Sequence, residues 1–476
     1  MSFTIACCAP PWWSYQGAVR SVHRRPQATA RIIQTKAIQT RGSIRPHKYP
    51  CARVPGSRAA PGETGVIKTS GLMVAFVLGC FAAITPAVAI GTDQEPGQKI
   101  HVDLGALPVP YAPPSGANPS RTIPKPADAT LKVPPGFVVN VFADNLGNAR
   151  NVRVAPNGDV FLVASGDNKI LIMHDGGGTA KAVTIFADGF NAPYGLAFIN
   201  NAILVGDLDG VWKLPYTPGD AHARDRQVRI TPVGALSDPG GHGTRNVVVS
   251  PDGTKFYVAI GSRGNVAEDP EPRATIQEFA MDGSHQHTFA SGLRNPVGIA
   301  FYPGTNDLYA VVNERDTLGD ELVPDYFTKV VDGGFYGWPY AYLGNHPQPA
   351  FASRRPDLVA KAIVPDVLFR SHSAPVGMTF YTAMQFPLAY RGGAFVALHG
   401  SWNTSTPRGY IVAHVPFVGG KPADSYTVFA SGFWASGEKR AEVWGRPAGV
   451  AMAKDGSLLI ADDISGTIWR VSYKGK

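Results

Sequence analysis

The chain has 476 residues, 44% of them hydrophobic, with 53 Gly, 41 Pro and a formal net charge of +8. Such a length can bury a large core, and this load of turn residues favours many short strands over long helices. The basic excess does not point to nucleic acid: residues 1–70 carry eleven Lys and Arg against the single acid Glu63, so this leader is +10 and the remainder is −2.

Residues 1–70 lack sustained apolar periodicity and read as a basic disordered leader. From Gly71 to Ile84 the chain is almost wholly apolar, and Ala87-Val88-Ala89 follows. This is the pattern of a secretory signal at 71–89 cut after Ala89. Val77-Leu78-Gly79-Cys80 offers the alternative of a lipid anchor at Cys80. Either processing makes the mature protein periplasmic or secreted. All four cysteines (Cys7, Cys8, Cys51, Cys80) precede the body, which therefore has no disulfide, no Cys-based zinc site and no C-x-x-C-H haem attachment. Residues 90–133 are Pro-rich and read as an extended arm laid onto the domain at 134–476.

Within that domain one pattern recurs six times, a small residue followed by apolar-x-apolar. It starts at Asn151, Gly195, Asn246, Gly298, Gly377 and Gly449, at intervals of 44, 51, 52, 79 and 72. Second strands are expected at Val160–Ala164, Ala202–Gly206, Phe256–Ile260, Leu308–Val312, Ala394–Leu398 and Leu458–Ala461. The first three intervals match a propeller blade of about 40–50 residues, and the last two accommodate inserted loops. The expected fold is all-β, a six-bladed β-propeller with a central channel. Two β-sandwiches would have no reason to repeat one anchor six times.

If the anchors are equivalent, the residue four before each shares one rim. These are Gly147, Asn191, His242, Arg294, Ser373 and Gly445, with Arg446 next to the last. Cations converging beside a histidine suit an anionic cofactor or substrate, and His242, flanked by glycines, is a candidate general base. The second-strand exits add Ser165, Asp207, Ser262-Arg263, Asn313-Glu314, His399, Ser401 and Asp462-Asp463, oxygen-rich loops of the kind that hold Ca²⁺. A G-x-G-x-x-G after a strand, a P-loop, H-E-x-x-H and G-x-S-x-G are all missing, which argues against nicotinamide and ATP enzymes and against a serine nucleophile.

GGHGTRNVVVSPDGTKFYVAIGSRGN, GLRNPVGIAFYP and DGGFYGWP, in that order, resemble the soluble PQQ-dependent sugar dehydrogenases. HGSWN and WGRPAGVAMAKDGSLLIADD are similar to their sorbosone and aldose dehydrogenase branch. The resemblance implies oxidation of a sugar at its anomeric or aldehyde carbon, with PQQ and Ca²⁺ as cofactors and an external quinone or cytochrome as electron acceptor. It implies His242 as base and Arg294 as the group that stabilises charge on the quinone. Asn295 matches a cofactor contact, and Asn191 lies within one residue of another. Arg446 matches one carboxylate-binding arginine, while Trp444 stands where a second is expected. His399 and Arg408 are the candidates for the family's cofactor lysine. The two consecutive carbonyls that help to hold Ca²⁺ align with Arg315 and Asp316. A Ca²⁺-dependent propeller lactonase and a non-catalytic glycan- or protein-binding propeller remain the alternatives.

Overall fold

The computed structural model describes residues 93–475; the expected leader, signal segment and Cys80 lie outside them. The fold is predominantly β-sheet, with one short α-helix, Pro356–Lys361, among the described residues. The six anchors lie in strands Asn151–Val154, Gly195–Ile199, Arg245–Val249, Asn295–Phe301, Pro375–Phe380 and Pro447–Met452. Each pairs antiparallel with the strand that follows, so Gly195 faces Gly206 and Gly449 faces Ala461. These pairs head six sheets of four or five strands, numbered here one to six in chain order. The start of each first strand and the end of each second strand therefore lie at one edge of their sheet.

The second strands read as unbroken apolar runs because both their faces are covered. Val160–Ala164 and Ala394–Leu398 are buried at every position. The small residue at the anchor has a steric cause. A Cβ on Gly449 would stand 2.7 Å from the amide nitrogen of Val152 in sheet one, and one on Gly377 would collide with the carbonyl of Ala448 in sheet six. Each first strand touches the first strands of the sheets before and after it, and the strand at Asn151–Val154 touches that at Pro447–Met452. Buried amides staple neighbours together: Asn151 Nδ2 donates to Tyr194 O (2.7 Å), Asn246 Nδ2 to Val297 O (2.8 Å) and Asn313 Nδ2 to Pro375 O (2.6 Å).

Sheet six is completed by a strand from the other end of the domain, Phe137–Ala143, which pairs with Thr467–Tyr473. Upstream, Lys99–Ile100 adds to the edge of sheet five, Arg121–Thr122 pairs with Glu442–Val443, and Lys132 bridges Ser431. Between these points Gly116 N donates to Asp320 Oδ1 (3.0 Å) and Asn118 N to Trp402 O (2.6 Å), so residues 93–133 run against loops of sheets four to six.

Candidate active site

Two loops bring His242, Arg294 and Asn295 together, and the main chain of one residue joins them. Ser262, just past the second strand of sheet three, donates its N–H to Arg294 O (2.7 Å) and accepts at its carbonyl from His242 N (3.0 Å). The same carbonyl lies 2.9 Å from His242 Nδ1, and Ser262 Oγ lies 3.1 Å from it. A carbonyl can only accept, so the ring proton sits on Nδ1 and Nε2 is the basic nitrogen. Gly261 separates His242 from Asn295: a Cβ there would lie 2.5 Å from His242 Cβ and would strike Asn295 Oδ1. Asn295 is buried, and its Oδ1 has no hydrogen-bond partner within the chain.

Arg294 is buried with its fork held open. Nη1 donates to Glu314 O (2.7 Å), and Nη2 faces Asp316 Oδ2 (3.2 Å) and Asn265 Oδ1 (2.9 Å). Burial, and next the charge of Arg294, push the His242 imidazole down to about 3, so it is neutral at any ordinary pH. Burial works to raise the Asp316 carboxyl, but a hydrogen bond from His372 and the charge of Arg294 outweigh it and hold it below its usual value. The corner thus contains an unprotonated base beside a cation already matched to a carboxylate.

A second corner forms where sheets five, six and one meet. His399 Nε2 lies 2.9 Å from Asp463 Oδ1, and the same carboxylate pairs with Arg150 Nη1. Arg446 lies over the Tyr410 ring at 5.4 Å and donates to His399 O (2.8 Å) and Gly400 O (2.6 Å). Burial opposes ionisation of Asp463, yet His399, Arg150 and Arg446 together hold it far below the carboxylate range. Burial and the charge of Arg446 lower His399 to about 4. With His399 neutral, the Arg150 and Arg446 guanidiniums face the Asp463 carboxylate, and the buried Asp462, pushed up to about 6 by burial, accepts from Arg446 N (2.9 Å) beside them. Asp325 links the corners: it accepts from Glu314 N and Ala374 N (both 2.8 Å), while His399 N donates to Ala374 O (2.9 Å).

Other expected residues are held elsewhere. Asn191 is exposed and tied to Asp209 through Nδ2 (3.1 Å). Arg408 forms a two-point ion pair with Glu321 (2.7 and 2.8 Å). The Arg315 guanidinium is fully buried among Glu314, Gln348 and Ala341 O, so only its main chain is available to a metal. Asp207 and Asp462, expected in an oxygen-rich ring, accept instead from backbone N–H groups of their own turns. Sequence reasoning missed Arg150, because a rim placed four residues before each anchor steps over a residue one before it. It also missed His372 and Asn265, which sit in inserted or turn segments outside the repeat.

The chemistry of these residues fits PQQ, an acidic planar quinone: buried guanidiniums suit its carboxylates, and the orphaned Asn295 Oδ1 lies next to His242 across a glycine with no room for a side chain. Calcium has less to hold it. Among the described residues no cluster of three or more His, Cys, Asp or Glu side chains could bind a metal, and Asp316 O already accepts from Asn265 Nδ2 (2.9 Å).

The TrAA12-like family matches residues 131–325 and 356–474, and the chain belongs to it. The relationship is to the broad superfamily of PQQ-dependent sugar dehydrogenases and AA12-like proteins; the sorbosone and aldose branch is a finer expectation. An uncharacterised protein of Borreliella burgdorferi is 26% identical over 357 residues, 73% of this chain and 92% of its own. A pyrroloquinoline quinone-dependent pyranose dehydrogenase of Coprinopsis cinerea is 25% identical over 403 residues, 71% of this chain but 54% of its own, so the chain spans about half that relative's length. The solved PQQ domain of pyranose dehydrogenase from the same fungus, 20% identical, superposes with a TM-score of 0.62 over 74% of this chain and all of that one, and shares the fold.

Proposed function

We propose that this chain is a PQQ-dependent dehydrogenase that oxidises a sugar at its anomeric or aldehyde carbon. Its six sheets are the blades of a six-bladed propeller, closed where Asn151–Val154 meets Pro447–Met452. The observation that carries the reading is the Ser262 peptide, which ties the neutral imidazole of His242 to Arg294. A C–OH group oxidised by hydride removal needs one base for its proton and a cation near the acceptor, and it needs no nucleophile.

PQQ, when bound, supplies the quinone that takes up the hydride. His242 accepts the hydroxyl proton at Nε2 while Ser262 keeps the other ring nitrogen protonated. Arg294 places a fixed positive charge beside the developing negative charge, and Asp316 keeps that guanidinium in position. Arg150 and Arg446 would hold carboxylates of the cofactor, with His399 beside them, and Asn295 would offer it the unpaired Oδ1. For Ca²⁺ the main-chain carbonyl of Arg315 would be the ligand this chain offers, since Asp316 O is taken by Asn265 Nδ2. This reading assigns no cofactor role to Arg408, paired with Glu321, or to Asn191, tied to Asp209. Export to the periplasm or outside the cell accords with the described residues, none of whose helices is long and apolar enough to cross a membrane.

The test is reconstitution of the purified protein with PQQ and Ca²⁺, followed by dye reduction across a panel of aldoses, sorbosone and pyranoses. PQQ-dependent reduction with one sugar class is expected. Lactone hydrolysis without PQQ, or no PQQ binding at all, would overturn the proposal.

A further inference from the structure

We propose that Asn265 is the positioning residue of this site, which aims the Arg294 guanidinium without cancelling its charge; the inference rests on the dehydrogenase reading. Asn265 lies three residues past Ser262 and is partly buried. Its main-chain carbonyl accepts from Arg294 Nε (3.1 Å) and from Trp338 Nε1 (2.9 Å). Its side-chain Oδ1 accepts from Arg294 Nη2 (2.9 Å) and Asp316 N (2.9 Å), and Nδ2 donates to Asp316 O (2.9 Å) and Thr317 Oγ1 (3.3 Å).

The amide orientation is dictated by these partners. Two N–H donors meet Oδ1 and a carbonyl meets Nδ2, so the flipped amide would set N–H against N–H and oxygen against oxygen. One residue therefore grips the Nε–Nη2 edge of the fork from both its main chain and its side chain. Since a guanidinium is planar, fixing that edge fixes the plane of the whole group. Asp316 attracts the same group by charge, but at 3.2 Å to a single oxygen it cannot set that plane alone. Asn265 also clamps the Asp316 peptide on both its N–H and its C=O, so cation and counter-ion are registered by one neutral side chain. A carboxylate at position 265 would keep the acceptors for Arg294 but offset the charge that it contributes during hydride transfer, and would set oxygen against oxygen at Asp316 O.

The experiment compares wild type, Asn265→Ala and the isosteric Asn265→Asp. In the apo protein, arginine-selective NMR reads rotation about the Cζ–Nε bond, with the Arg294 signal assigned from its loss in Arg294→Lys. Slow rotation in wild type and faster rotation in Asn265→Ala are expected. In the reconstituted enzyme kcat should fall about 30-fold in Asn265→Ala and at least tenfold in Asn265→Asp. KM for the sugar and the affinity for PQQ should stay within about threefold, and a C1-deuterated sugar should show a larger isotope effect than with wild type. If Asn265→Ala does not fold, Asn265→Asp decides. Wild-type kcat in Asn265→Asp, unchanged Arg294 rotation in Asn265→Ala, or a rise in KM without a fall in kcat would overturn the inference while leaving the dehydrogenase reading in place. A wild type that oxidises no sugar would overturn both.

Discussion

The two corners of the site use the same residue types for different ends. At His242 the imidazole is oriented by a neutral main-chain carbonyl, and the nearby carboxylate, Asp316, is paired with Arg294 and His372 rather than with the base. At His399 the imidazole shares its carboxylate, Asp463, with Arg150. A ring fixed by a carbonyl, with its second nitrogen basic, is built to take a proton. A ring sandwiched between a carboxylate and two guanidiniums is built to keep charges apart and packed. Histidine alone therefore says little about role; what its partner can donate or accept decides.

The largest effect that would break this contrast is on His242. His242→Ala should lower turnover about 10³-fold while PQQ affinity changes less than threefold, measured by dye reduction and by titration of cofactor into apo protein. Arg294→Ala should lower turnover about 10²-fold, more than it weakens PQQ binding. Arg150→Ala acts at the other corner and should invert the pattern. PQQ affinity should fall about tenfold, with turnover at saturating cofactor within about threefold of wild type. Equal loss of turnover in Arg150→Ala and Arg294→Ala would erase the distinction.

The smallest effect is on stability against pH. Burial lowers His399 and His414 from 6.5 to about 4 in the folded chain, so the unfolded chain binds protons first as the pH drops. Stability from these groups is complete above 6.5 and is lost as the pH falls toward 4. His414 packs against Tyr390 and Phe395, away from either corner, and His414→Phe should remove about 2 °C of the fall in Tm between pH 7 and 5 in a thermal melt.

The strand pairs were legible because their cause is local. A small residue, glycine in four strands and asparagine in two, then apolar-x-apolar, marks each first strand, and an unbroken apolar run marks each second. His242 and Arg294 stand at a constant offset from that mark, and Arg446 one residue past it, so the spacing singles them out together. Arg150 stands at a different offset. Asn265 and Asp316 act across loops whose length varies, so nothing in the spacing relates one to the other. Arg408 shows the limit from the other side: the sequence displays the cation but not Glu321, the acid it pairs with.

The pairing of Phe137–Ala143 with Thr467–Tyr473 fastens the beginning of the domain to its end, some 330 residues later in the chain. Such a buckle cannot engage during synthesis until the last strand has emerged, so an incomplete chain carries an unsatisfied strand edge for most of its production. Under the proposed export that delay is useful: a domain unable to finish folding early is still threadable when it reaches the membrane. The same buckle makes the C-terminal tail the worst place to shorten the molecule, since trimming even a few residues before Tyr473 would unfasten both ends at once.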